Sequence, residues 1–154
     1  MSLPFKSNIM IRMIEEKDFQ DWKNLYLQYG DFYQVPITTE GLSTVWSWIQ
    51  DPNHELEGLV FEKASDLVGL AHFRGMPNPL RACEICFLDD LFVDPSERGS
   101  RLGEALIGEI VEIAKKRGWP KIRWITADDN YRARTLYDRV AMKTQWNTYE
   151  IIVE

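Results

Sequence analysis

Residues 83–127 constrain the fold more than any other part of the chain. "CEICFLDDLFV" (83–93) is a long apolar run of strand type. "DPSERGSRLG" follows, and then a helical pattern with Leu106, Ile110, Ile113 and Ala114 on one face. Glu104, Glu109, Glu112 and Lys116 lie elsewhere on that helix. Lys115, Lys116, Arg117 and Gly118 give it a basic last turn and a stop. "KIRWITA" (121–127) is strand-like again. Strand, crossover helix and strand in this order predict a right-handed parallel β-α-β unit. Arg98, Gly99, Ser100, Arg101, Leu102 and Gly103 stand at the mouth of its helix. The first N–H groups of a helix lack intrahelical partners, and with the helix dipole they attract an anion, most often a phosphate.

The rest of the chain builds a sheet around that unit. "IMIRMI" (9–14) alternates weakly and reads as a strand. Phe19, Trp22, Leu25, Tyr26 and Tyr29 recur at helical spacing in "EEKDFQDWKNLYLQY" (15–29), with Gly30 as the expected end. Thr38 or Thr39 caps a second helix, "TEGLSTVWSWIQ", which stops before Asp51-Pro52. "LEGLVFEKA" (56–64) and "LVGLAHFRGM" (67–76) read as a hairpin joined through Ser65-Asp66, and "MPNPLR" as a loop. Asp128, Asp129 or Asn130 caps a short helix, "NYRARTLYDRVA", and "WNTYEIIV" (146–153) reads as a final strand. The predicted fold class is a mixed α/β sheet in the order β-α-α-β-β-β-α-β-α-β, its early strands an antiparallel meander. One domain is expected over 9–154, and residues 1–8 are set aside as a tail or expression scar.

Composition narrows the function classes. A chain of 154 residues, 45% hydrophobic, is large enough for a core without disulfides or metal. Cys83 and Cys86 form C-x-x-C without a second pair, and neither His54 nor His72 lies at ligand spacing. An offset of three on a strand turns the two thiols to opposite faces, so reduced cysteines, no metal and a cytoplasmic location are expected. No apolar run reaches membrane-spanning length. A pI near 5.0 argues against non-specific nucleic-acid binding. The charge is uneven: a net of −9 up to Glu97 and +3 from Arg98 onward. That division suits an anion on the C-terminal half and a cationic ligand on the N-terminal half.

These residues together resemble the GNAT acetyltransferase superfamily. Arg98–Gly103 is similar to its acetyl-CoA motif, Gln/Arg-x-x-Gly-x-Gly/Ala, and "LDDLFVDP" to the strand ahead of it. Asn130, Ala133 and Tyr137 resemble its Asn-x-x-Ala-x-x-x-Tyr helix, and the element order agrees from residue 9 to 153. Arg101 departs from the usual Gly, which a Cβ tolerates if the residue already has helical dihedrals. "VAMKTQW" lacks the Gly-Phe that often follows the Tyr helix.

The resemblance implies acetyl-CoA as cosubstrate and no metal. It gives Arg98, Gly99, Ser100, Arg101, Leu102 and Gly103 to the pyrophosphate. Leu91, Phe92 and Val93 would pair with the pantetheine arm, and an N–H of Leu91 or Phe92 would meet the thioester oxygen. Asn130 would bond the arm's amides, Ala133 would allow its approach, and Tyr137 would protonate the leaving thiolate. Asp89 would act as base through water, with Asp90 and Glu84 as alternatives and all three as candidates for binding the amine. Strand alternation puts Asp89 and Asp90 on opposite faces. The implied activity is acetyl transfer to a primary amine of a small, cationic acceptor, nearest in pattern to polyamine-type members. A protein N-terminal or lysine acetyltransferase and a non-catalytic acetyl-CoA-binding module are the rivals, and a homodimer stays open.

Overall fold

The computed structural model describes residues 9–154. The chain forms two compact units, one running to Trp124 and one spanning Ile125–Glu154.

The larger unit holds a five-stranded sheet in the order β1-β2-β3-β4-β5. Its strands are β1 (Ile9–Met13), β2 (Leu56–Lys63), β3 (Asp66–Asn78), β4 (Cys83–Val93) and β5 (Ile122–Arg123). The first three pairings are antiparallel, and β4–β5 is parallel. The predicted meander and parallel crossover are therefore both present, the latter through α3 (Leu102–Arg117). α1 (Phe19–Phe32) and α2 (Thr39–Gln50) cover one face, where Trp22, Leu25, Leu42, Val60, Leu70 and Phe92 form a buried cluster. α3 covers the other face with Leu106 and Ile110 fully buried. Gly69 of β3 lies against Leu106, and His72, three residues on, turns to the α1 face and bonds Trp22.

Several local expectations need correction. Gly30 does not end α1, which runs two residues further. It is buried, a side chain there would strike Ile37 and the carbonyl of Val35, and Gln34 takes the left-handed turn instead (φ 57°). The β2–β3 hairpin turns on Ala64 and Ser65, both at positive φ, one residue earlier than Ser65-Asp66. Thr38 is the cap of α2, accepting from the Gly41 N–H at 3.0 Å. β5 is far shorter than 121–127: its last pairing, Phe87↔Arg123, comes just before β4 departs from regular register.

The entry to α1 depends on a buried ion pair. Asp18 is 4% exposed and receives two hydrogen bonds from the Arg12 guanidinium, at 2.7 and 2.9 Å. Burial pushes the Asp18 carboxyl up, but Arg12 and the Glu15 N–H outweigh it and leave it below its usual range. Asp18→Asn is expected to cost about 3 kcal/mol at neutral pH, the lower end for a broken buried pair, because Arg12 keeps Glu62. A lowered folded pKa gives stability that is full above the unfolded value and lost as pH falls through the folded one. Urea titrations at neutral and acid pH check both parts: the gap between variant and parent should narrow in acid.

The second unit contains α4 (Tyr131–Val140), capped by Asn130, whose side-chain oxygen accepts from the Ala133 N–H at 3.3 Å. Residues 146–153 form no strand, contrary to expectation. Trp146, Tyr149, Ile151, Ile152 and Val153 are all exposed. Their β propensity has no paired neighbour to act on among the described residues, and a strand is stable only when paired.

Candidate active site

β4 carries the centre of the site. It pairs with β3 from Cys83 to Val93 except at Asp89, but with β5 only at Cys86 and Phe87. From Leu88 to Val93 its second edge therefore has no strand partner among the described residues. That edge presents N–H and C=O groups of the kind a neighbouring strand would otherwise use.

The same edge leads into the loop ahead of α3. Asp94 starts it, bonded to Val68 O through its N–H (2.8 Å) and accepting from Ser96 N–H (2.9 Å). Glu97 is tied to Lys63 of β2 at 2.9 Å, and Ser100 bonds back to the Glu97 carbonyl. Gly99 (φ 84°) and Arg101 (φ 61°) both take left-handed backbone. Ala105 is the first residue of α3 whose N–H meets a helical carbonyl, that of Arg101 at 3.1 Å. The Ser100 N–H is spent on the Glu97 carbonyl (3.3 Å), so the amides at the helix mouth, those of Leu102, Gly103 and Glu104, are the ones an anion can use. A Cβ built on Gly99 meets nothing within 4 Å, so the outer side of the loop is open. A pyrophosphate fits this loop, and Arg98 and Arg101 are exposed beside it.

Arg101 is the correction here. Its backbone is left-handed and not right-handed helical, so the Cβ is not tolerated for free. Its side chain is 75% exposed and, among the described residues, reaches Glu104 at 3.9 Å. Arg101→Gly is expected to stabilise the free protein by about 1 kcal/mol, or a Tm about 2–4 °C higher. If the guanidinium contacts phosphate, the same change weakens coenzyme A binding and flattens its salt dependence. Thermal melts and titrations at two salt concentrations read both effects.

Above the loop, β4 bulges. His72 faces Asp90 and Phe73 faces Leu88, which leaves Asp89 with no partner on β3. The bulge overturns the expected alternation. Asp89 bonds Arg74 at 3.0 Å and Asp90 bonds His72 at 2.8 Å, and Arg74 and His72 share the α1 face of β3. Two adjacent carboxylates thus lie on one face. Glu84 does not join them. It sits near the start of β4, lining a separate cleft of about 420 Å³ with Glu57, Arg117 and Trp119.

The two carboxylates differ. Asp90 accepts from His72, from the Tyr26 hydroxyl at 3.0 Å and from Tyr29. Burial raises its carboxyl, but these donors prevail and hold it below the usual range. Burial and Asp90 keep the two phenols above their ordinary range, so they stay protonated and donate. Asp89 is half-buried, and there burial prevails over Arg74: its carboxyl is raised. Asp89 is the better proton acceptor of the pair, Asp90 the better fixed anion. Cys86, beneath them, has its thiol pushed up to about 12 by burial, then by Asp89, and is an inert neighbour.

Asn130, Ala133 and Tyr137 lie on the second unit, all half-buried, with the latter two on one face of α4. Asn130 serves as the helix cap through its oxygen. Sequence reasoning missed Trp22, Tyr26, Tyr29, His72 and Arg74. The aromatic residues read as packing, and the available signal was a pair of polar residues two apart on the apolar strand "LAHFRG".

Comparison with known proteins bears directly on this arrangement. Residues 20–142 match the Acetyltransferase (GNAT) family. The chain is 31% identical over 144 residues to the D-amino-acid N-acetyltransferase HPA3 of Saccharomyces cerevisiae, covering 92% of this chain and 89% of that protein. Its fold is similar to the aminoglycoside N-acetyltransferase AAC(6')-Iy in complex with CoA, with a TM-score of 0.83, 17% identity and coverage of 98% and 99%. It is also similar to a ribosomal-protein-alanine N-acetyltransferase of Brucella melitensis, with a TM-score of 0.75, 24% identity and coverage of 94% and 99%. Open strand edge, anion loop and family match agree: the chain belongs to the GNAT family of acetyltransferases.

Proposed function

We propose that the protein transfers an acetyl group from acetyl-CoA to a primary amine of a small, cationic acceptor by direct attack in a ternary complex. The observation that carries this reading is the acidic face of Asp89 and Asp90 beside the open edge of β4, one strand end away from the anion loop. A cationic amine is drawn to such a face. HPA3, the relative at 31% identity, is named for an amino-acid amine.

When bound, acetyl-CoA supplies an activated carbonyl and a thiolate leaving group. Arg98 and the amides of Gly99 and of Arg101, Leu102 and Gly103 would hold its phosphates, with Ser100 bonded to Glu97 to shape the loop, and the backbone of Leu91–Val93 would align its arm. An N–H of Leu91 or Phe92 donates to the carbonyl oxygen, where charge develops. Asp89 takes the amine proton through water. Tyr137 would return a proton to sulfur as the C–N bond forms and the C–S bond breaks; the ammonium gives up two N–H protons in all, the first to Asp89 and the second to the Tyr137 oxygen, so one proton passes to solvent per turnover. Asn130 and Ala133 shape the arm's approach.

The test is ligand binding followed by turnover. Saturating acetyl-CoA at about 100 Kd is expected to add about 2.7 kcal/mol of stability. Arg98→Ala is expected to weaken binding by about 1–2 kcal/mol, the scale of a charge-assisted hydrogen bond. An unchanged melting temperature would defeat the reading. A coenzyme A release assay against polyamines, amino acids and basic peptides then identifies the acceptor, and turnover of peptides alone would reject the small acceptor.

A further inference from the structure

We propose that His72 is a positioning residue for the transfer: fixed in one tautomer by Trp22, it decides which of two adjacent carboxylates is clamped and which is presented. The inference rests on the reading of β4 given above.

Trp22 offers His72 a donor that cannot accept. The indole N–H of Trp22 bonds Nε2 of His72 at 2.9 Å, so Nε2 holds a lone pair and the imidazole proton sits on Nδ1. Nδ1 lies 2.8 Å from Asp90 Oδ2 and donates to it. Both rings are fully buried, so water offers neither nitrogen an alternative. Gly58, the β2 residue opposite His72, leaves room for Ile14 and the imidazole, since a Cβ there would strike Ile14 and come within 3.3 Å of His72.

The consequence lies in the bulge. Asp89 is the unpaired residue only because Asp90 is the one opposite His72. Moving the extra residue by one position would exchange them, burying Asp89 and freeing Asp90. The groups facing Asp90 oppose that exchange: Tyr26 and Tyr29 from α1, and His72 from β3. Arg74 of β3 holds Asp89 in the complementary position. His72 is the only one of these that is the direct cross-strand partner of Asp90.

The chain has two histidines, which makes the test direct. His54 Nδ1 accepts from the Leu56 N–H at 3.0 Å, so its proton is on Nε2 and its signal differs from that of His72. Long-range ¹H–¹⁵N spectra of histidine-labelled protein are expected to show one imidazole with its proton on Nδ1 at neutral pH. His72→Leu is expected to lower kcat about 10- to 100-fold, the range for a displaced reactive group, with acetyl-CoA affinity unchanged. His72→Asn, which offers an N–H near the Nδ1 position, should recover most of the loss. Two histidines both protonated on Nε2, or full turnover by His72→Leu, would overturn the proposal. If His72→Leu does not fold, Trp22→Phe is measured. It should mix the His72 tautomers and lower kcat, and an unchanged tautomer and kcat overturn the proposal equally. Asp89→Asn separates the two ideas. Full turnover by that variant rejects Asp89 as base and, with it, the role of His72 in presenting it, whereas a slow Asp89→Asn beside full turnover by His72→Leu rejects His72 alone.

Discussion

Tyr137→Phe is expected to lower kcat by about 10²–10⁴-fold, the range of a general acid, and to leave acetyl-CoA affinity nearly constant. The substitution removes one hydroxyl and keeps the ring. If that hydroxyl acts only as the thiolate departs, its loss falls on the transition state and not on the bound ground state. A free tyrosine has a pKa near ~10 and can give a proton to a thiolate without being ionised at neutral pH. Steady-state kinetics with the best acceptor, paired with direct coenzyme A titration, separates the two contributions. Full turnover by the variant would remove the acid role and would leave Tyr137 as packing on α4.

Asp89→Asn is expected to have an effect of similar size, and its signature is in the pH profile. A base must be ionised to accept a proton, so activity rises with pH through the Asp89 pKa. Burial raises that pKa, which moves the acid limb above the ordinary carboxylate range. The variant should lose this limb and keep the one at higher pH that reports the acceptor amine itself. A second outcome has a different meaning: a raised KM for the amine with kcat little changed makes Asp89 a cation-binding group only. In that case the acid limb appears in kcat/KM and not in kcat.

The β-α-β unit was legible because its signals are local. Of the predicted face Leu106, Ile110 and Ala114 are buried in α3 and Ile113 is half-buried, and Gly118 marks the stop. Arg98–Gly103 was legible for the same reason, as a short motif at a helix mouth. The acidic face was not. Asp89 and Asp90 alternate in any regular strand, and only the pairing with His72 and Arg74 reveals the bulge. Nothing in "FLDDLF" marks an extra residue, since bulges of this kind need no glycine. Likewise Trp22 and His72 are 50 residues apart, and their bond follows from the packing of α1 on β3. The left-handed backbone of Arg101 was hidden because its residue type argues for the opposite conformation. The tail after α4 was misread because alternation records propensity, whereas pairing depends on a neighbour that sequence does not name.

The bulge also makes Asp89 a supernumerary residue. Leu88 faces Phe73 on the α3 side and Asp90 faces His72 on the α1 side. Were Asp89 excised, those two would become consecutive and would alternate as any strand does. Phe92 would still point into the core with Trp22. The frame of the sheet, counted by twos, closes equally well without it. Asp89 therefore carries none of the strand's alternation, and a strand one residue shorter would keep every inward and outward assignment while losing, of the adjacent pair, the carboxylate that gains a proton more readily.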